Sequence, residues 1–209
     1  MKKLLQYMAI FAFVLGMTTT AKAQDMDNIL YIDLDYGRVA IEMKPDLAPN
    51  HVERIKTLAR QGFYDGIVFH RVIDGFMAQT GDPTGTGSGG SDLPDLNAEF
   101  NNYNFGRGAI GMARTSDPNS ANSQFFICFD DCSFLNGQYT VWGQVIEGME
   151  FVDKIKRGEP PRNPDKMLKV TIASDEAEAA QSSPINEEAA DAHSNDTAPA
   201  KTKSKAKAK

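Results

Sequence analysis

Residues 69–82 read FHRVIDGFMAQTGD and set one cation, Arg71, among Phe69, Phe76 and Met77, with one amide, Gln79, two residues beyond. A charge is costly to remove from water, so an arginine in an apolar run is either aimed at a polar partner or snorkels outward. A guanidinium stays charged and presents several donors in a fixed fork. The chemistry open to it is therefore electrostatic: it can hold an oxygen or draw on a lone pair without exchanging a proton.

Other chemistries find less support. Residues 85–90, GTGSGG, contain G-x-G-x-x-G, but a dinucleotide site needs a strand before it and a helix after it. Here Asp82-Pro83 precedes and Ser91-Asp92-Leu93-Pro94 follows, so the stretch reads as a flexible loop. A hydrolase needs a nucleophile with a base in reach; the three histidines are His51, His70 and His193, and no nucleophile-elbow motif is present. No His/Cys/Asp/Glu group has metal-ligand spacing.

The elements that must position Arg71 follow from pattern. Asn28–Met43 alternates around Asp35-Tyr36-Gly37 and predicts a hairpin. Pro49 opens a helix with Val52, Ile55, Leu58 and Ala59 inward, and Gly62 stops it. Strands are predicted at Gly108–Arg114, Ser123–Phe129, Tyr139–Ile146 and Lys166–Ala173, with a second helix over Glu147–Arg157. Many short strands, glycine-rich connections and two helices without βαβ alternation predict a mainly β, largely antiparallel sandwich or barrel.

The Arg71 segment resembles the signature of the cyclophilins, and four later segments match in the family's order: Gly111-Met112-Ala113-Arg114, Asn122 to Ile127, Phe134 to Tyr139, and the run from Val145 to Met149. The resemblance implies a closed eight-stranded antiparallel barrel capped by two α-helices, with the site in a groove on its outer face. It also implies a peptidyl-prolyl cis-trans isomerase that needs no cofactor or metal and acts on proline-containing polypeptides. By resemblance, Arg71 would work on the prolyl amide and Gln79 would hold Arg71 in register. Phe76, Met77, Phe126 and Leu135 would cup the proline ring. Backbone groups of Ala113 and Arg114, with the Gln124 side chain, would grip the preceding residues. The alternative within the same fold is a chaperone or binding module that holds proline segments without turning them. Arg114, Phe134 and Tyr139 stand where many members carry Asn, Trp and His, replacements that resemble bacterial-type members. Phe134 lacks the indole donor, so weak cyclosporin binding is expected.

The ends differ from the middle. Met1–Ala23 carries Lys2 and Lys3, an apolar run from Leu4 to Met17, and Ala21-Lys22-Ala23, the layout of a secretory signal peptide with cleavage before Gln24. That predicts export, to a bacterial periplasm, with no stable membrane insertion after cleavage. Gln24–Ala173 is expected to be one domain that works as a monomer. Ser174–Lys209 is poor in large apolar residues, acidic and then Lys-rich, and predicts a disordered tail. The formal net charge of −6 argues against a nucleic-acid partner. Cys128 and Cys132 would lie about 13 Å apart in an extended strand, too far for a disulfide. A turn after Phe129 would bring them within reach of a bond in an oxidising compartment, but two free thiols are the expectation.

Overall fold

The computed structural model describes residues 26–182; the expected signal peptide, Met1–Ala23, the next two residues and the chain beyond Ser182 lie outside the described residues. Strands β1 (Ile29–Leu34) and β2 (Gly37–Met43) form the predicted hairpin, with Leu34 opposite Gly37. Gly37 has φ +141° and packs against the Phe151 ring, where a Cβ would collide. Helix α1 (Pro49–Arg60) starts on its proline, whose missing N–H costs nothing at that position, and buries Val52, Ile55, Leu58 and Ala59. The remaining strands are β3 (Arg71–Ile73), β4 (Met77–Thr80), β5 (Ala109–Met112), β6 (Phe125–Cys128), β7 (Val141–Glu147) and β8 (Lys169–Ile172). Every ladder is antiparallel, in the order β3-β4-β6-β5-β7-β2-β1-β8.

The expected closed barrel with two caps is not what forms. The sheet is an open, curled half-barrel whose edge strands β3 and β8 share no ladder. In place of a ladder, the isolated bridges Val68–Lys166 and Val72–Gly158 and a bond from Gly66 N to Met167 O span the gap. The chain that would have to close it carries Pro160, Pro161 and Pro164, which have no N–H to give to a ladder.

The helices also differ from expectation. Helix α2 covers only Met149–Val152, not Glu147–Arg157. Beyond it the bonds tighten to Lys154 N–Phe151 O and Ile155 N–Val152 O, and the Arg157 guanidinium takes the carbonyls of Asp153 and Ile155. A third helix, α3 (Ala173–Ser182), occupies the start of the stretch expected to be disordered from Ser174. Its composition supplies little apolar surface, but Ala and Glu favour the helix. Asp175 and Glu176 in the first turn suit its dipole and pair with Arg60 and Arg38 at 3.0 and 2.7 Å.

Successive residues of a strand point to opposite faces, and here both faces of the β3-β4-β6-β5 half of the sheet are covered. Val72, Ala78, Ile110, Met112, Phe125 and Ile127 face the interior cluster, with Trp142 fully buried among them. Met77, Ala109, Phe126 and Cys128 belong to a second cluster on the outer side. That is why β6, FFIC, is buried at every position.

Candidate active site

The outer cluster carries the site. In the ladder Arg71 lies opposite Gln79, Gln79 opposite Phe126, and Phe126 opposite Gly111, so cation, amide and aromatic ring form one row across four strands. Paired residues of an antiparallel ladder share a face, which fixes the direction of all three side chains. Gly111 leaves room for the rings of Phe126 and Phe105, since a Cβ there would strike both. Phe105 in turn stacks on Phe126 with ring centres 5.7 Å apart.

A pocket of about 140 Å³ opens over this row. Arg71 and Gln79 form one side and Met77 and Phe126 the floor. Phe76, Leu135 and Tyr139 stand around it, and Ala113 and Arg114 close the remaining side. Leu135 is delivered by a single 3-10 turn, Ser133–Leu135, and is buried, while Phe134 from the same turn projects out, 62% exposed, beside Phe76 at 5.3 Å. Tyr139 meets Phe126 edge-on at 5.8 Å and supports the Arg114 guanidinium 4.5 Å above its ring. Arg114 also donates to the carbonyls of Thr115 and Gln138, both at 2.8 Å. The Ala113 N–H is committed to Gln124 O at 2.9 Å, so its carbonyl is the backbone group left to meet a peptide. The geometry thus gathers nine of the predicted residues around one pocket, sets Phe134 on the rim, and places Gln124 one step back.

Gln124 links the pocket to a second, larger one of about 520 Å³, which shares Gln79, Ala113 and Arg114 and is walled by residues 87–91. Gln79 Nε2 donates to Gln124 Oε1 at 2.9 Å, and Gln124 Nε2 donates to Gly87 O and Gly89 O at 3.0 and 2.8 Å. The glycine-rich stretch is a loop, as read, and it is folded around a buried carboxylate. The backbone N–H groups of Thr84, Thr86, Gly87 and Gly89 all donate to Asp82. Burial would raise the Asp82 carboxyl, but the bonds from Thr84, Gly89 and Gly87 outweigh it and hold it down at about 2. His70, beside this loop, is pushed below its ordinary value by burial, so it stays neutral at pH 7.

Cys128 and Cys132 are free thiols, as expected, fully buried and packed beneath the pocket. The Cys132 thiol beside it, together with burial, pushes the Cys128 thiol up. One feature escaped the sequence: Glu159, whose carboxylate lies 2.7 Å from Arg71 Nε. Eighty-eight positions separate the pair, and no motif spans that distance. Among the described residues no group of His, Cys, Asp and Glu could hold a metal ion.

Similarity to known proteins identifies the family. The model of the family described as cyclophilin type peptidyl-prolyl cis-trans isomerase/CLD matches residues 29–176. The chain belongs to that family. It is 52% identical over 183 residues to a probable peptidyl-prolyl cis-trans isomerase of Brucella suis, covering 80% of this chain and 93% of that protein. A peptidyl-prolyl cis-trans isomerase of Helicobacter pylori is 40% identical over 147 residues, covering 68% and 90%. Cyclophilin AquaCyp293 from Hirschia baltica superposes with a TM-score of 0.67 at 33% identity, covering 72% of this chain and 76% of its own. A Cryptosporidium parvum member, solved in the presence of the dipeptide ala-pro, superposes at 0.65 with 30% identity, covering 69% and 98%.

Proposed function

We infer that this chain is a peptidyl-prolyl cis-trans isomerase that turns X–Pro bonds of polypeptides by electrostatic strain on the imide nitrogen. The observation that carries the mechanism is the row Arg71–Gln79–Phe126 on one face, at the edge of an apolar cup. Rotation is slow because the nitrogen lone pair is delocalised into the carbonyl, with a barrier of about 18–20 kcal/mol. Phe126, Met77 and Leu135 hold the proline ring while the chain before it turns. Arg71 then donates to the proline's carbonyl and approaches the nitrogen as it becomes pyramidal, an interaction gained mainly in the twisted form. No atom, electron or proton changes hands, so the step calls for no cofactor. A module that only held proline segments would have no use for a cation aimed at the lone pair.

The test is an isomerisation assay on a short proline peptide. Arg71→Ala is expected to lower kcat/KM by about 10²–10³ with an unchanged melting temperature. A wild type with no rate above background overturns the function, and a fully active Arg71→Ala overturns the mechanism. Since X–Pro isomerisation can limit folding, the clients are newly folding chains.

We place the enzyme outside the cytoplasm, in a bacterial periplasm, as a soluble monomer. The order of charged, apolar and small residues over Met1–Ala23 supports export, and a pocket complete within one chain supports the monomer. N-terminal sequencing of the secreted protein is expected to start at Gln24; an intact Met1 would refute the cleavage.

A further inference from the structure

Arg71 is half exposed, and a long side chain in that position needs an orienting partner if its fork is to face the pocket. Gln79 is the partner the family pattern suggests, yet its Oε1 lies 3.5 Å from Arg71 Nη1, at the outer limit of a hydrogen bond. The contact between Arg71 Nε and Glu159 Oε2 is 2.7 Å and charge-assisted. Distance and charge both say that Glu159 is the stronger hold.

Glu159 reaches Arg71 through a local stitch at the open edge of the sheet. Val72 and Gly158 exchange both backbone hydrogen bonds at 2.8 Å, and Arg157 Nε pairs with Asp74 at 3.0 Å. Residues 157–159 thus run antiparallel beside β3, and 159 falls next to 71. Arg157 is fixed as well, with its guanidinium 3.9 Å from the Phe129 ring centre. Gly158, at φ +146°, admits the turn because a Cβ there would meet the backbone of Pro161. The Arg71–Glu159 pair is 41% and 53% exposed, and exposed pairs add little to stability. Its consequence lies in where it leaves the guanidinium.

We propose that Glu159 is the positioning residue for Arg71: its carboxylate fixes Nε and so presents the Nη edge to the proline pocket. This rests on the isomerase reading above. Glu159 touches no substrate; it acts through Arg71 alone, while Gln79 completes the alignment from the opposite side and carries it on to Gln124.

The experiment compares Glu159→Ala and Glu159→Gln with wild type, using exchange NMR on a proline peptide to separate turnover from binding. Glu159→Ala is expected to lower kcat about tenfold with peptide affinity and melting temperature unchanged. Glu159→Gln, which keeps an acceptor for Nε, is expected to recover at least half of the wild-type rate. The Arg71 Nε–H resonance is expected to shift and exchange faster with solvent in Glu159→Ala. The proposal is overturned if Glu159→Ala keeps the wild-type kcat, if its loss appears in affinity or thermal stability instead, or if the Nε–H signal does not move. An inactive wild type would refute the isomerase reading itself, and the Nε–H signal would still report whether Glu159 holds Arg71.

Discussion

On the inner face of β6, Phe125 sits edge-on to Tyr64 and Trp142 with ring centres 5.7 and 5.4 Å away. On the outer face, its neighbour Phe126 has Phe105 at 5.7 Å and Tyr139 at 5.8 Å. Both rings are buried and both have two aromatic neighbours. The difference is in what lies beyond. Behind Phe125 the interior cluster continues through Val72, Ile110 and Ile127; above Phe126 lies a pocket with Arg71 and Gln79 at its edge. The same strands therefore carry a core on one side and a binding floor on the other, and the alternation of the strand separates stability from function at a spacing of one residue.

The largest expected effect tests that separation. Phe125→Ala removes a ring from a closed interior and is expected to cost about 3–5 kcal/mol of unfolding free energy. Phe126→Ala opens its gap to the groove, where water can enter, and is expected to cost about half as much. Its loss is expected instead in the isomerase assay, by about tenfold or more, because an apolar wall of the proline cup is gone. Denaturant melts of the two variants, paired with the peptide assay, decide the matter. Equal stability losses with equal residual activity would mean that the outer cluster is a second core and not a binding floor.

Legibility in the sequence followed the range of the interactions. Gly37 and Pro49 act within a few residues of themselves, and the hairpin and α1 were readable from them. Met77, Gln79 and Phe126 share the site because of strand alternation and register, which the resemblance anticipated at the level of residues. The open edge was not readable, since a strand's last partner depends on whether a distant segment can offer N–H groups, and Pro160, Pro161 and Pro164 cannot. Glu159 was missed for the same reason: only the stitch of Gly158 to Val72 carries it to Arg71. The start of α3 looked too polar to order, because composition does not reveal that Arg38 and Arg60 wait for Glu176 and Asp175.

A smaller effect sharpens the comparison at Asp82, which is buried like a core residue yet serves the outer face. Its carboxylate gathers the loop whose Gly87 and Gly89 carbonyls hold Gln124, and Gln124 holds Gln79. With the folded carboxyl at about 2 and an unfolded value near 3.9, the unfolded chain binds the proton first as pH falls. The contribution is fully present above about pH 4, fades toward pH 2, and amounts to roughly 2 kcal/mol. Glu99, Asp153 and Asp165 are also held below their ordinary values, so the acid limb of the wild type is a sum over several carboxylates. The difference between wild type and Asp82→Asn isolates one of them. Asp82→Asn is expected to be less stable by about 2 kcal/mol at pH 7 and to converge with wild type near pH 2. At pH 7 it is also expected to lose a fewfold in turnover, because Gln124 and then Gln79 lose their anchor. A constant stability gap across that pH range would show that the loop is held by packing and not by the charge, and undiminished turnover would uncouple the loop from the site.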